Sequence, residues 1–508
     1  MLIGNPPYVR VQGLKSNYED EAKLYEAKYK SATGKYDIYA LFLEMSFGML
    51  KPTGKLSYIL PHKFLISDFG SGLRGFLAEN KAVESLLHFG SEMVFEEAST
   101  YTCIVTLSHD NEKLNFKSLK PNELFDNFTY DAIPSTELNS DIWNLSSSEV
   151  YKVLTKMNQQ PLTVKDVFYR IAQGIVSMGD DIYVLSGTFQ GNYFMGFSKE
   201  LNVEVCLEKE LMKPFLKGED VKKYAMLSTN LYIIYPHFID ENGKTKPFEE
   251  EDFKTKFPLA YEYLSKFKSL LIERKINYKT NPKYWYALHR SREIDMFEQE
   301  KIITPEISLG TNMTYDTSCL YHGTKCYTFI KNQKYQENYQ FYLSILNSSL
   351  MWFFLKNTGY ELRGGFFAFK TNFLEPFPLP RLEKLEQQEP FIEKSNLMLE
   401  LNRQLQSTKQ AFLTELNLEK IPQKLQNFEE LEFEEFVKEY TKAKKIKFSD
   451  KLEERNFKNN WNALFENDKT LTCKLKTQIQ TTDKSIDAMV YELYGLSEDE
   501  IAIIEERV

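Results

Sequence analysis

Two adjacent prolines, Pro6 and Pro7, stand where a strand has just ended. Met1 to Ile3 is a short apolar run that leads straight into Gly4-Asn5-Pro6-Pro7-Tyr8. Each proline fixes its backbone and lacks an N–H, so the run cannot continue through them as an interior strand. The pair also leaves rigid carbonyls with no N–H of its own competing for them. The Asn5 amide oxygen and the Pro6 carbonyl can converge on one amino group as paired acceptors, with the flat face of Tyr8 beside them. An amine conjugated to an aromatic ring is a poor nucleophile because its lone pair is delocalised. Acceptors placed out of the ring plane draw that nitrogen toward tetrahedral geometry and return the lone pair to it. A base inside a duplex reaches such a corner only after flipping out of the stack. The same four residues also describe a plain turn between a strand and a loop.

The length, 508 residues, suggests roughly three domains. Over residues 1–118 strand and helix signals alternate, as in an α/β domain. Ile38, Leu41, Phe42, Met45 and Met49 share one helix face, and Pro52-Thr53-Gly54 breaks that helix. Leu56–Leu60 reads as a buried strand, followed by a helix around Leu73–Ala78 and strands at Val83–Phe89 and Thr102–Leu107. The order is that of the later half of a doubly wound, Rossmann-like sheet whose earlier strands are absent. Residues 119–380 read as a mixed α/β domain with short β-branched and aromatic runs, closed by a Pro-rich linker or docking segment, Leu374–Pro380. Residues 381–508 read as helical, with Gly495 the sole glycine. Leu397, Leu401, Leu405, Phe412 and Leu416 mark a long amphipathic helix, half of a helical hairpin, and Glu429–Phe436 reads as a solvated helix face. Gly495 is placed to end a helix, and Ser497 with Glu500 to cap the next.

The five cysteines and six histidines are scattered, without C-x-x-C or H-E-x-x-H, which argues against a disulfide framework and a zinc site. A formal charge of −9 excludes a wholly basic nucleic-acid binder but not one with its positive charge on one face. No apolar run approaches ~18 residues and no charged-then-apolar leader opens the chain, so the expected location is cytoplasmic, with no membrane partner.

The tetrapeptide resembles the catalytic motif of amino-group methyltransferases that use S-adenosylmethionine, chiefly those modifying adenine in DNA. Lys35–Tyr39 with the helix after it, and Leu56–Lys63, are similar to the segments that follow the motif in adenine-specific restriction–modification methylases. Val94-Phe95 with Tyr101-Thr102 is similar to a later motif whose Phe stacks on the flipped adenine. Glu210–Tyr224 resembles the opening of a TaqI-type DNA-specificity domain, and Leu346–Ser348 with Arg363–Pro380 its close. Ile486–Glu500 looks like the C-terminal helix signature of large type IIG-like members. The resemblance implies site-specific adenine-N6 methylation of duplex DNA, with Asn5, Pro6, Pro7 and Tyr8 catalytic and Tyr8 and Phe95 sandwiching the base. Glutamine methylases of release factors carry the same tetrapeptide but end soon after it. A third reading is a non-catalytic DNA-binding specificity module.

Such methylases hold S-adenosylmethionine with a Gly-rich loop and a ribose-binding acid that precede the tetrapeptide, and only four residues precede Asn5. Gly70-Ser71-Gly72-Leu73-Arg74-Gly75 matches G-x-G-x-x-G but lies after the wrong strand, and reads as a flexible loop entering a helix. The cofactor pocket is therefore expected to be incomplete, the isolated chain inactive, and an upstream methyltransferase fragment or subunit required. For DNA contact, Lys266–Arg292 is the strongest basic stretch; Lys275, Lys279, Lys283, Arg290 and Arg292 are the expected phosphate ligands, with Phe267, Tyr278 and Tyr284–Tyr286 interleaved. Arg363 and Lys370, beside Gly364 and Gly365, suggest a second contact.

Overall fold

The computed structural model describes every residue except 96–99, 144, 146–147, 275–281 and 508. Its first layer is a six-stranded mixed sheet made of β1 (Leu2–Gly4), β2 (Leu56–Pro61), β3 (Val83–His88), β4 (Thr102–Leu107), β5 (Lys113–Ser118) and β6 (Asp131–Pro134). The spatial order is β1-β2-β4-β3-β5-β6. β1 pairs parallel to β2 and β3 parallel to β5, while β4 runs antiparallel to both of its neighbours. β1, β2, β3 and β5 therefore point the same way, and their carboxyl ends form one edge, where ligands of open α/β sheets sit. The helices Ile38–Gly48 and Ser71–Glu79 bury Tyr39, Leu43, Phe47, Leu73 and Leu77 in a core shared with Leu56, Leu60, Leu86 and Val105.

This layer runs past residue 118. β6 pairs with β5, and Trp143 then returns to the same core, its backbone N–H donating to the Leu65 carbonyl at 2.9 Å. Val150, Val153 and Met157 already belong to the next core. The boundary read at 118/119 thus cuts a sheet, because β6 is short and carries charge and proline instead of a buried apolar run.

Beyond it, one sheet orders the strands Val203–Glu208, Tyr193–Ser198, Val184–Gln190, Leu231–Ile234, Met212–Leu216 and Tyr321–His322. Another orders Thr314–Asp316, Lys301–Pro305, Cys326–Lys331 and Phe168–Gln173. The helices Tyr339–Leu346 and Ser349–Thr358, nearly continuous in buried residues, fill a core that also receives Ile486, Val490, Tyr494 and Ile504 from the C-terminus. The Pro-rich segment is no linker: Phe377 and Leu379 are buried there, Pro378-Leu379 pairs with Leu162-Thr163, and the Tyr494 hydroxyl donates to the Pro378 carbonyl at 2.6 Å.

The helical hairpin forms, with Glu389–Glu415 packed along the 43-residue helix Lys451–Leu493. Gly495 adopts φ +65° after that helix, and Ser497 and Glu500 cap each other reciprocally. Glu429–Phe436 departs from expectation. Phe428 and Phe436 enter a distal core with Phe412 and Phe465, and the buried Glu429 meets Lys409 at 2.7 Å and Lys476 at 2.5 Å. Two lysines from other helices make that burial tolerable, and sequence order does not reveal them.

Candidate functional site

Asn5 to Tyr8 lie at the carboxyl end of β1, held by neighbours on two sides. The chain just after them is stitched to Tyr36–Ile38: Val11 N–H donates to the Tyr36 carbonyl at 3.0 Å, Ile38 N–H to the Val9 carbonyl at 2.9 Å, and Arg10 bridges Asp37. Pro6 is buried, whereas Asn5 is exposed and its amide has no partner among the described residues. The Tyr8 hydroxyl donates to the Ile59 carbonyl of β2 at 3.1 Å, and its ring meets Tyr39 edge-on at 6.4 Å. Burial, helped by Cys103, pushes the Tyr8 phenol up to about 12, so it stays neutral and keeps donating. The corner thus presents a fixed ring beside an open carboxamide.

Around it one Asp37 carboxylate oxygen and His62 Nδ1 are buried without partners among the described residues. Burial raises the Asp37 carboxyl above its ordinary value against the pull of Arg10 and Lys63. His62 and His88, at the ends of β2 and β3, stack with centroids 4.3 Å apart. Burial, and for His62 also the neighbouring His88, drives them down to about 2 and about 4, so both imidazoles are neutral. Phe95 is half-buried and directly precedes the undescribed residues 96–99.

β1 is the edge strand, with Leu2 41% and Ile3 76% exposed and no strand on its outer side. Gly70–Gly75 is not a loose loop but the closely packed entry to the helix Ser71–Glu79. A Cβ on Gly70 would come within 2.0 Å of the Phe64 carbonyl oxygen and one on Gly72 within 2.3 Å of that of Lys30. Arg74, buried, donates to the carbonyls of Phe64, Ser67 and Ser140. Glycine serves close packing there.

The basic stretch divides into engaged and open cations. Lys275 and Lys279 lie outside the described residues. Lys283 is exposed but pairs with Glu249 at 3.0 Å and donates to the Tyr284 hydroxyl at 2.8 Å. Arg290 is exposed, with its backbone paired to Val176, while the half-buried Arg292 donates from Nε to the Gly174 carbonyl at 2.8 Å. Phe267, Trp285 and Tyr286 are core residues, Tyr284 is half-buried, and Tyr278 lies outside the described residues. Arg363 and Lys370 are exposed and make no ion pair among the described residues.

A further feature of the second region lies against the sheet that holds Val184–Gln190, Leu231–Ile234 and Met212–Leu216. It is a cleft of about 860 Å³ with Phe215 and Phe366 in its walls and Lys199, Lys217, Lys222 and Lys325 around it. Asp180, Asp181, Ser308 and Asn312 add acceptors and donors. Lys217 and Lys325 make only loose pairs, 3.8 Å from Glu219 and 3.7 Å from Glu306, while Lys199 and Lys222 make none among the described residues. Lys217 and Lys222 flank the short helix Gly218–Asp220, while Lys199 and Lys325 reach the cleft from distant parts of the chain.

Residues 1–95 match the Eco57I restriction-modification methylase family, residues 213–379 the TaqI-like C-terminal specificity domain, and residues 384–490 a domain of unknown function, DUF8810. The type II restriction enzyme and methyltransferase RM.Eco57I of Escherichia coli is 30% identical over 408 residues, covering 75% of this chain and 40% of that protein. The type II methyltransferase M.HincII of Haemophilus influenzae is 24% identical over 398 residues, covering 75% and 74%. The solved structure of the type IIL restriction-modification enzyme MmeI in complex with DNA shares the fold, with a TM-score of 0.53 and 11% identity over 99% of this chain and 56% of that one. The chain therefore spans about two fifths of the Escherichia coli relative and just over half of MmeI. With an Eco57I-type methylase segment followed by a TaqI-like specificity domain, the chain is a relative of the type II restriction–modification methyltransferases.

Proposed function

We propose that this chain is the target-base and sequence-recognition part of an adenine-N6 DNA methyltransferase of a restriction–modification system, acting in the cytoplasm on duplex DNA. The observation that carries the reading is the Asn5–Tyr8 corner at a strand's carboxyl end, with a TaqI-like domain later in the same chain. The Asn5 amide oxygen and the Pro6 carbonyl accept the two hydrogens of the flipped adenine's amino group. This draws the nitrogen out of conjugation and exposes its lone pair. Tyr8, anchored on Ile59, forms one face of the base slot, and Phe95 the other. No strong base is required, because the amine loses its proton after transfer. S-adenosylmethionine supplies the methyl group, and its pocket is completed by a polypeptide whose strands flank β1. Lys199, Lys222, Arg290, Arg363 and Lys370 face the phosphates, and the cleft takes base edges. Lys283 and Arg292, engaged within the chain, contribute less.

The test is tritium transfer from labelled S-adenosylmethionine into duplex DNA, with and without the upstream half from the same system. Transfer is expected only with both. Robust incorporation by the 508-residue chain alone would show that the donor pocket lies within it. A second reading, a specificity module without catalysis, is favoured by the open edge of β1 alone. It predicts duplex binding and no transfer under either condition.

A further inference from the structure

The specificity domain touches the methylase segment through a short hairpin, Glu361-Leu362 paired with Phe366–Ala368, whose turn carries Gly364 and Gly365 at φ +84° and +77°. Three separate pieces of the first layer converge on it. After β3, the Ser91 hydroxyl donates to Glu361 Oε1 at 2.9 Å across 270 residues of sequence. Before β4, the Tyr101 hydroxyl accepts the Arg363 backbone N–H at 2.8 Å, and the Tyr101 and Tyr360 rings lie 6.4 Å apart. After β2, Lys63 Nζ sits 6.0 Å from the Tyr360 ring centroid. Gly90, at φ +56°, turns the chain so that Ser91 reaches Glu361; a Cβ there would be strained and would stand 3.7 Å from Glu361 Oε2.

The opposite side of the hairpin belongs to the cleft. Phe367 and Ala368 pair with Ser308 and Ile307, and Ile307, Ser308 and Phe366 all line it. One strand of the hairpin is thus bonded to a cleft wall while the other is bonded to the segment Gly90–Phe95, which carries the expected base-stacking Phe95. Two strands paired by backbone hydrogen bonds move as a unit, so a shift of the cleft wall reaches Ser91 and Tyr101 directly.

We propose that Glu361 and Tyr101 are positioning residues that make insertion of the target base depend on occupancy of the specificity cleft; this rests on the function proposed above and deepens it. Neither touches the base. They set where the Gly90–Phe95 segment stands when DNA fills the cleft, and so whether the second face of the base slot is in place. Unpairing the target base costs free energy, least when the base is already unpaired. A segment held ready by Glu361 offsets that cost only for a paired target.

The experiment uses the enzyme reconstituted with its upstream half, with Glu361→Ala, Glu361→Gln, Ser91→Ala, Tyr101→Phe and the Ser91→Ala/Glu361→Ala pair. It reads duplex affinity, the fluorescence of 2-aminopurine at the target position without cofactor, and methyl transfer to a paired target and to one opposite an abasic site. Glu361→Ala and Ser91→Ala should each lose about tenfold on the paired target, the scale of one hydrogen bond to a charged group. The loss should be about twofold or less opposite the abasic site. Affinity should hold within about twofold, because no phosphate contact is removed. The 2-aminopurine signal should fall with the transfer rate, Glu361→Gln should restore most of both, and the pair should be no worse than either single change. Tyr101→Phe, which keeps the ring and removes the acceptor for Arg363, should repeat the pattern at smaller amplitude. Equal losses on both targets, or none, would overturn the proposal and leave the hairpin a packing element. Absence of transfer by the unsubstituted reconstituted enzyme would overturn the function it rests on, and the coupling with it.

Discussion

The Asn5–Tyr8 corner and the lysine-rimmed cleft both face solvent, yet they are open for different reasons. The cleft is enclosed by strands of this chain: its walls are paired sheet and hairpin, and its charge is displayed outward. The corner is held by β2 and by the Tyr36–Tyr39 segment, with no strand on its outer side among the described residues. Tyr8 rests on Ile59 and Tyr39, but β1 ends the sheet with bare apolar side chains and unpaired backbone. The other edge of the same sheet shows how an edge is ordinarily blunted: β6 carries Asp131 and Pro134, and the chain then folds back over the core through Trp143. Protein edges are protected with charge, proline and short length, and β1 has the composition of an interior strand. The cleft is walled by paired strands, and the corner borders a bare strand.

The sharpest way to break that comparison is at the corner. Asn5→Ala in the reconstituted enzyme should lower methyl transfer by about two orders of magnitude, as removal of one pre-placed polar group at a reacting centre does. Duplex affinity should stay within a few-fold. Transfer above a tenth of the parent's, a loss of less than about 1.4 kcal/mol, would remove Asn5 from the chemistry. A smaller effect is expected at the edge. Ile3→Lys places a charge where a flanking strand would pack, so assembly with the upstream half should weaken roughly thirtyfold, about 2 kcal/mol. Aggregation of the isolated chain should decrease in the same variant. Unchanged assembly, measured by titration with labelled upstream half, would mean that β1 remains an edge in the working enzyme.

The smallest effect belongs to the complete surface. Lys199→Gln with Lys222→Gln should reduce the affinity of the isolated chain for cognate and random duplexes alike, and flatten the logarithmic salt dependence by about 1.8. If the slope holds while the same change at Arg290 and Lys283 flattens it, DNA follows the basic stretch and not the cleft.

Residues that act through their own backbone are legible in the sequence alone. Pro6 and Pro7 end β1 in any context, Gly495 turns left-handed, and Ser497 meets Glu500 three residues on. The order of strands and helices up to β4 follows from apolar spacing for the same reason, since period and breaker are local properties. Partners in space are not local. Lys283 reads as free in the sequence, yet Glu249, 34 residues earlier, stands beside it. Glu429 reads as solvated, yet Lys409 and Lys476 close on it; Trp285 reads as ready for a base and fills a core. The Ser91–Glu361 bond, spanning 270 residues, has no sequence signature. By itself the sequence determined where the backbone must stop, turn and present Asn5. Only the tertiary structure decided which charges are neutralised, which stay open to a polyanion, and which edge of the sheet is bare, because through-space distance sets Coulombic pairing and desolvation and the chain's order does not.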